Sequence, residues 1–176
     1  MKDFKINKKL LGNAELIYKK KNDYRGHLSR IFCSREFSKL KKNISIQQIN
    51  YTNTAKVGTI RGMHYQAKPF EEDKIVLCIK GKVFDVALDI RKNSKNFLKF
   101  NFLTLSEKNN KIHYIPKGFA HGYQALTDNC ELLYLHSNFY SSTHSKYISP
   151  IENKFKINWP IKKIIISKKD ILGKKF

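Results

Sequence analysis

The 176 residues read as an all-β sandwich or barrel. Three observations predict it: several short strand-like runs, turn residues between them at regular spacing, and almost no helical period. Ile44-Ser45-Ile46-Gln47-Gln48-Ile49 alternates along most of its length. Residues 74–79 read as a strand, Lys80-Gly81-Lys82 as a tight turn, and residues 83–90 as the return strand. Residues 97–105, 111–115 and 131–136 continue the pattern, and only residues 35–40 suggest a helix. The four prolines, at 69, 116, 150 and 160, punctuate turns. No linker, repeat or low-complexity segment divides the chain, so one domain over 1–176 is expected.

The return strand carries a question of its own. Phe84, Val86, Leu88 and Ile90 share one face, and Asp85, Ala87 and Asp89 share the other. An unpaired carboxylate is costly to bury. The aspartate face is therefore either solvent-exposed or the lining of a polar cavity.

Composition narrows the class further. Hydrophobic residues make up 41% and aromatics 12%, enough for a packed core and too apolar for a disordered chain. Cys33, Cys78 and Cys130 are odd in number, lack CxxC spacing and sit among apolar neighbours. They read as buried, inert thiols rather than a disulfide framework or zinc site. The first residues lack an apolar run, and no segment reaches the roughly 18 apolar residues of a membrane helix. A reducing cytoplasm and no membrane association are expected.

The formal net charge is +21, which raises the question of nucleic-acid binding. The distribution argues against it. Arginine occurs only at 25, 30, 35, 61 and 91, and the other basic residues are lysines spread along the whole chain. Readers of nucleic acid concentrate Arg for bidentate contacts. The charge is read as a solvated surface, with attraction of a small anionic substrate as the alternative.

Three segments carry chemistry. The first is Arg61-Gly62-Met63-His64-Tyr65-Gln66. The second is Lys74 with the hairpin that ends Asp85 to Arg91. The third is Tyr114 to Gly122, whose Pro116-x-Gly118-x-x-His121 spacing looks like the second motif of cupins. Each is weak alone. In order and spacing, however, they join Asp23-Tyr24-Arg25-Gly26, Gln48-Ile49-Asn50, Ser94, Phe97, Tyr134, Tyr140, Asn158-Trp159-Pro160 and Ser167-Lys168-Lys169-Asp170. That joint pattern, over nearly the whole chain, resembles the dTDP-4-dehydrorhamnose 3,5-epimerase family of cupins.

The resemblance implies a cupin double-stranded β-helix, or jelly roll, that acts as a homodimer without cofactor or metal. It implies a nucleoside-diphosphate 4-keto-6-deoxyhexose substrate, epimerised at C3 and C5 or at C3 alone in deoxysugar and cell-surface polysaccharide synthesis. The family's catalytic base falls on His64, the carboxylate behind it on Asp170, the opposite-face acid on Tyr134, and the cation near the enolate on Lys74. Binding roles fall on Arg25 and Arg61 for the diphosphate, and on Gln48, Asn50, Asp85, His121 and Lys169. Tyr140 falls where a ring stacks on the nucleotide base.

The chemistry asks for these residue types. A C–H beside a ketone is acidic because its carbanion delocalises into an enolate. Its removal needs a base near neutral pKa, and imidazole supplies one. A carboxylate fixes the imidazole tautomer. The enolate oxygen needs a preorganised cation, worth about 3–4 kcal/mol by analogy with an oxyanion hole. Inversion needs a second acid on the other face, which a neutral phenol can provide. Arg forks suit the phosphates.

The chain also departs from the family. Arg30 stands where Glu is usual, Ser145 where another Glu is common, Leu28 for Phe, and Asn158 for Asp. Leu98 and Phe100 replace Gly and Trp, and Phe70-Glu71-Glu72-Asp73 replaces a neutral stretch. Arg30 and Ser145 fall at ligand-contacting positions, so the departures bear on which nucleotide and sugar are read. Two other readings compete. A metal-dependent cupin would use His64, Gln66, Glu71 and His121, and Gln is a poor ligand there. A non-catalytic sugar-nucleotide or polyanion sensor would have no reason to keep His64, Lys74, Tyr134 and Asp170 together.

Overall fold

The computed structural model of the chain describes residues 3–174. In order the elements are β1 (Phe4–Lys9), β2 (Ala14–Tyr18), β3 (Lys20–Asp23), β4 (Gly26–Ser29), α1 (Ser34–Phe37), β5 (Gln48–Thr54), β6 (Thr59–Gln66) and β7 (Lys74–Lys80). There follow β8 (Lys82–Asp89), β9 (Phe100–Ser106), β10 (Lys111–Ile115), β11 (Phe119–Ala125), β12 (Cys130–His136), β13 (Ser145–Tyr147), β14 (Ile165–Ile166) and α2 (Lys168–Ile171).

Two sheets form the body. One runs β1-β2-β10-β7-β12-β5 and the other β13-β6-β11-β8-β9, with β14 added to β6; β3 and β4 form a separate hairpin. The arrangement is all-β, as the strand pattern predicts, and is the cupin jelly roll that the family resemblance implies. Val76 and Leu132 of the first sheet pack against Ala87, Leu105 and Tyr123 of the second, making the central core. The outer face of the first sheet, with Leu16, Ile75, Leu77 and Leu135, is covered by Phe37 and Ile44. The outer face of the second, with Phe84, Val86 and Leu88, is covered by Ile148, Phe155 and Trp159.

That triple layering answers the question set by the return strand. Both faces of β8 are buried, so its run lacks a solvent side. The Asp85-Ala87-Asp89 face points between the sheets, and the solvent alternative is excluded: Asp85 and Asp89 are fully buried. Asp89 is satisfied by a fork from Arg91, at 2.9 and 2.6 Å, and by the Ser94 hydroxyl at 2.6 Å.

The expected turn after β7 is Gly81 alone, at φ +77°, where a Cβ would lie 2.6 Å from Thr127 Oγ1. The strand at 44–49 begins instead at Gln48 and runs to Thr54, because its partner β12 ends at His136 opposite Gln48. The strand at 97–105 begins at Phe100 for a similar reason: β8 ends at Asp89, and Leu98 sits in a turn at φ +62°. The helical hint at 35–40 is one turn, Ser34–Phe37. Cys78 and Cys130 are buried as expected, but Cys33 is only half-buried.

Candidate active site

β6 is the spine of the site. Its neighbour β11 lies close enough that a Cβ on Gly62 would sit 2.5 Å from Gly122 Cα, so both glycines are required by close approach. The free edge of β6 is shared by two short strands. β13 pairs antiparallel with its second half, Tyr147 opposite His64, and β14 pairs parallel with its start, Ile166 opposite Ile60. β14 leads into α2, where Ser167 caps the turn by accepting from the Asp170 N–H at 3.1 Å. The chain end is thereby pinned, and Asp170 is buried rather than frayed.

The pinning delivers Asp170 to His64, with Oδ1 2.7 Å from the imidazole Nε2. The Gly62 N–H donates to the other oxygen at 3.4 Å. Burial pushes the Asp170 carboxyl up, but His64 and the Gly62 amide outweigh it and hold it below the usual carboxylate range. His64 remains over a third exposed and rests edge-on against the Tyr147 ring, 5.0 Å away.

His64, Arg61, Lys74, His121, Asn50 and Tyr134 line one cavity of about 210 Å³ between the sheets. Lys74 reaches across it, donating to the His64 carbonyl at 3.2 Å and pairing with Glu72 at 3.4 Å. Tyr134 belongs to the opposite sheet from His64. Burial first, then the Tyr123 phenol and the Asp85 carboxylate, hold the Tyr134 phenol well above its usual value, so it stays protonated. Arg61 donates to Thr54 Oγ1 at 3.0 Å and to the Asn53 carbonyl at 3.2 Å. A second cleft of about 470 Å³ adjoins the first; it shares Arg61 and His64 and adds Tyr147, Lys169 and Asp170. Lys169 sits over the Tyr147 ring at 4.3 Å, and its hydrogen bond to that phenol, with a further one from Ser145, draws the phenol pKa down.

Gln48 bonds Asn50 at 3.1 Å and accepts the Tyr140 N–H at 2.9 Å, while the Tyr140 ring is exposed outside both linings. One expectation needs correction. Asp85, expected to bind substrate, is fully buried with both oxygens taken, by His113 Nδ1 at 2.6 Å and His121 Nε2 at 2.7 Å. Of the two imidazoles that it holds, His121 lines the cavity. Arg25 stands on the exposed β3–β4 hairpin, forked onto Asp23 at 2.7 Å, and lines neither cavity of this chain. Arg30, read as a ligand-contacting position, pairs with Asp3 and stays half-exposed. Ser145 is on β13, with its hydroxyl 3.4 Å from Tyr147 Oη.

Four residues of the site escaped sequence reasoning. His113 and His136 lie on expected strands, and period-2 counting from Ile115 and Tyr134 puts each on the inner face. Glu72 and Tyr147 gave no such signal, because a loop carries Glu72 and the short β13 carries Tyr147. Among the described residues, no group of three or more His, Cys, Asp or Glu side chains could hold a metal ion.

The family model described as dTDP-4-dehydrorhamnose 3,5-epimerase matches residues 7–176. A protein of that name from Shigella flexneri is 39% identical over 155 residues, covering 88% of this chain and 85% of the relative. The crystal structure of the Bacillus anthracis epimerase, with TDP and PPi bound, superposes at TM-score 0.94 with 28% identity, covering 98% of this chain and 99% of that one. The Legionella pneumophila enzyme in complex with dTDP-4-keto-L-rhamnose superposes at 0.92 with 29% identity, covering 98% and 92%. A shared architecture over the whole described chain, carrying a buried carboxylate behind a cavity-lining histidine, thus coincides with sequence identity above 30% to a named enzyme: the chain belongs to the dTDP-4-dehydrorhamnose 3,5-epimerase family.

Proposed function

We propose that this protein inverts C3 and C5 of a dTDP-4-keto-6-deoxyhexose. The observation that carries the reading is the placement of His64 and Tyr134 on facing sheets of one cavity, with Lys74 reaching across from the Tyr134 sheet to the His64 carbonyl. A flat sugar ring in that gap meets an imidazole on one face and a phenol on the other. His64 takes the proton from the carbon beside the ketone, and Asp170 holds its Nε2. The Lys74 ammonium stabilises the enolate oxygen. Tyr134 returns a proton from the opposite face and inverts the centre. Imidazole, ammonium and phenol supply the whole reaction, so the reading calls for no cofactor or metal.

Arg61, Asn50, His121 and Lys169 hold the substrate from the two cavities, with Gln48 ordering Asn50 and the Tyr140 backbone. The functional unit in this reading is a homodimer. Tyr24 and Leu28 on the hairpin, and Ile49 and Tyr51 on the edge strand β5, are large apolar side chains exposed at 97%, 70%, 62% and 57%. A second copy covering them would also give Arg25 a route to the phosphates. Three free thiols and a nucleotide-sugar substrate suit the reducing cytoplasm.

The test is incubation in D₂O with dTDP-4-keto-6-deoxyglucose, followed by NMR. Deuterium at C3 and C5 is expected. Deuterium at C3 alone would narrow the reaction to a single inversion. No deuterium at either carbon, with the dTDP, CDP or GDP sugar, would overturn it. Light scattering at the mass of two chains is the expected outcome for the dimer.

A further inference from the structure

We propose that Glu72 and His136 are positioning residues for Lys74, joining the binding amides of β5 to the ammonium that faces the enolate. The proposal rests on the epimerase reading above and deepens it.

The geometry is a directed chain of hydrogen bonds. The Tyr140 N–H donates to Gln48 Oε1 at 2.9 Å, and Gln48 Nε2 donates to Asn50 Oδ1 at 3.1 Å. Asn50 Nδ2 points at His136 Nε2 at 3.4 Å, and His136 Nδ1 meets Glu72 Oε2 at 2.9 Å. The other oxygen of Glu72 faces Lys74 Nζ at 3.4 Å. An amide nitrogen can only donate, so His136 Nε2 is the acceptor and its proton sits on Nδ1, toward the carboxylate. Each bond thereby orients the next. The strands set the frame: His136 lies opposite Gln48 on β5 and opposite Lys74 on β7, so all three share the inward face.

Glu72 is the junction. Its carboxylate is nearly buried, at 8% exposure, and accepts from Gln66 Nε2 at 3.2 Å besides facing His136 and Lys74. Burial pushes its carboxyl up, but His136 and Lys74 outweigh that and hold it below the usual range, so the junction is charged. It pairs the one ammonium in the cavity lining with the one imidazole stacked beside Tyr134, whose rings are 6.1 Å apart at 19°. A long lysine has many rotamers, and a fixed counter-charge selects among them. The segment that departs from the family, Phe70 to Asp73, thus carries the part that orients Lys74.

The charged and titratable groups around Lys74 are Glu72 from the preceding loop, His136 and Tyr134 on β12, Arg61 and His64 on β6, and Tyr123 and His121 on β11 with Asp85 behind His121. Only Glu72 among them is an anion in direct contact with the ammonium. Its removal takes away the counter-charge that fixes where the ammonium sits.

The experiment is the pH profile of kcat for epimerisation of dTDP-4-keto-6-deoxyglucose, on wild type, Glu72→Gln, His136→Leu and the double variant. Glu72→Gln is expected to lower kcat about 10–100-fold, the range for residues that orient a catalytic group from behind, with a smaller change in KM. His136→Leu moves kcat in the same direction by less. The double variant is no worse than Glu72→Gln, because the chain reaches Lys74 through Glu72. Should Glu72→Gln fail to fold by thermal melting, His136→Leu carries the same test through its kcat-to-KM split. A Glu72→Gln profile that superposes on wild type, or multiplicative losses in the double variant, would overturn the proposal. Wild-type protein that exchanges no deuterium overturns the epimerase reading, and this proposal with it; an active wild type beside an unmoved variant overturns this proposal alone.

Discussion

Two histidine–carboxylate arrangements lie on adjacent strands, with His64 of β6 directly opposite His121 of β11. In the first, Asp170 bonds His64 at 2.7 Å, and the imidazole is 38% exposed. In the second, Asp85 holds two imidazoles, His121 at 2.7 Å and His113 at 2.6 Å, exposed at 4% and 0%. Behind His113 stand Asn13, at 2.5 Å from its Nε2, and Asn101, which exchanges two amide bonds with Asn13 at 2.7 and 2.6 Å. The same chemical pair therefore serves two purposes. An imidazole that must take a proton and pass it on needs an open side. An imidazole whose partner is wholly enclosed trades exchange for fixed geometry. Burial draws the His121 pKa down in spite of Asp85, so its neutral form is favoured.

The sharpest way to break this comparison is His64→Asn. Loss of deuterium exchange by about 10²–10⁴-fold is expected, the usual contribution of a general base, with the melting temperature little changed. Undiminished exchange would mean that the base lies elsewhere. Tyr134→Phe comes next: inversion should slow by about 10²-fold, at the lower end of the same range, while proton exchange at the His64 face slows less. Equal slowing of both would place Tyr134 outside the second proton transfer.

Asp85→Asn exchanges the pattern of effects. It leaves two buried imidazoles with a weaker partner, and an expected stability loss of about 1–3 kcal/mol is readable by urea unfolding. Asp170→Asn, whose partner is exposed, should cost less than this while affecting activity more. The smallest effect concerns pH. His121 has a folded pKa below the unfolded value of 6.5, so the unfolded chain takes its proton first on acidification. Stability should therefore fall as pH drops below 6.5. Asp85 and Asp170 also have depressed folded values, so their contribution is present above 3.8 and is lost as pH falls through the folded range. His121→Gln should flatten the melting-temperature curve just below pH 6.5; an unchanged slope there would show that His121 is not the group responsible.

Much of the fold was legible locally. Alternation in 83–90 and 111–115 predicts β8 and β10 almost residue for residue, because each is a strand whose side chains sort by face. Strand starts were less legible, since β5 and β9 begin where a distant partner ends rather than where their own residues change character. The site divides in the same way. His64, Lys74, Tyr134 and His121 are singled out by the resemblance to the family, with chemistry that suits their residue types, and all four line one cavity.

What the sequence by itself determined is the all-β class, because period 2 is a local property, and, through its resemblance to the family, the candidate residues of the site. That Asp85 stands behind His113 and His121 was decided only in three dimensions, and so was the physical cause of the Asp170–His64 pairing that the resemblance implies. Asp170 reaches His64 across 106 residues because β14 pairs in parallel with β6, and Asp85 is withdrawn from any ligand because both faces of β8 are covered. Neither fact has a local signature: pairing across a sheet edge and burial between layers depend on contacts far apart in the chain, and these contacts settle whether a carboxylate orients a base or holds a core together.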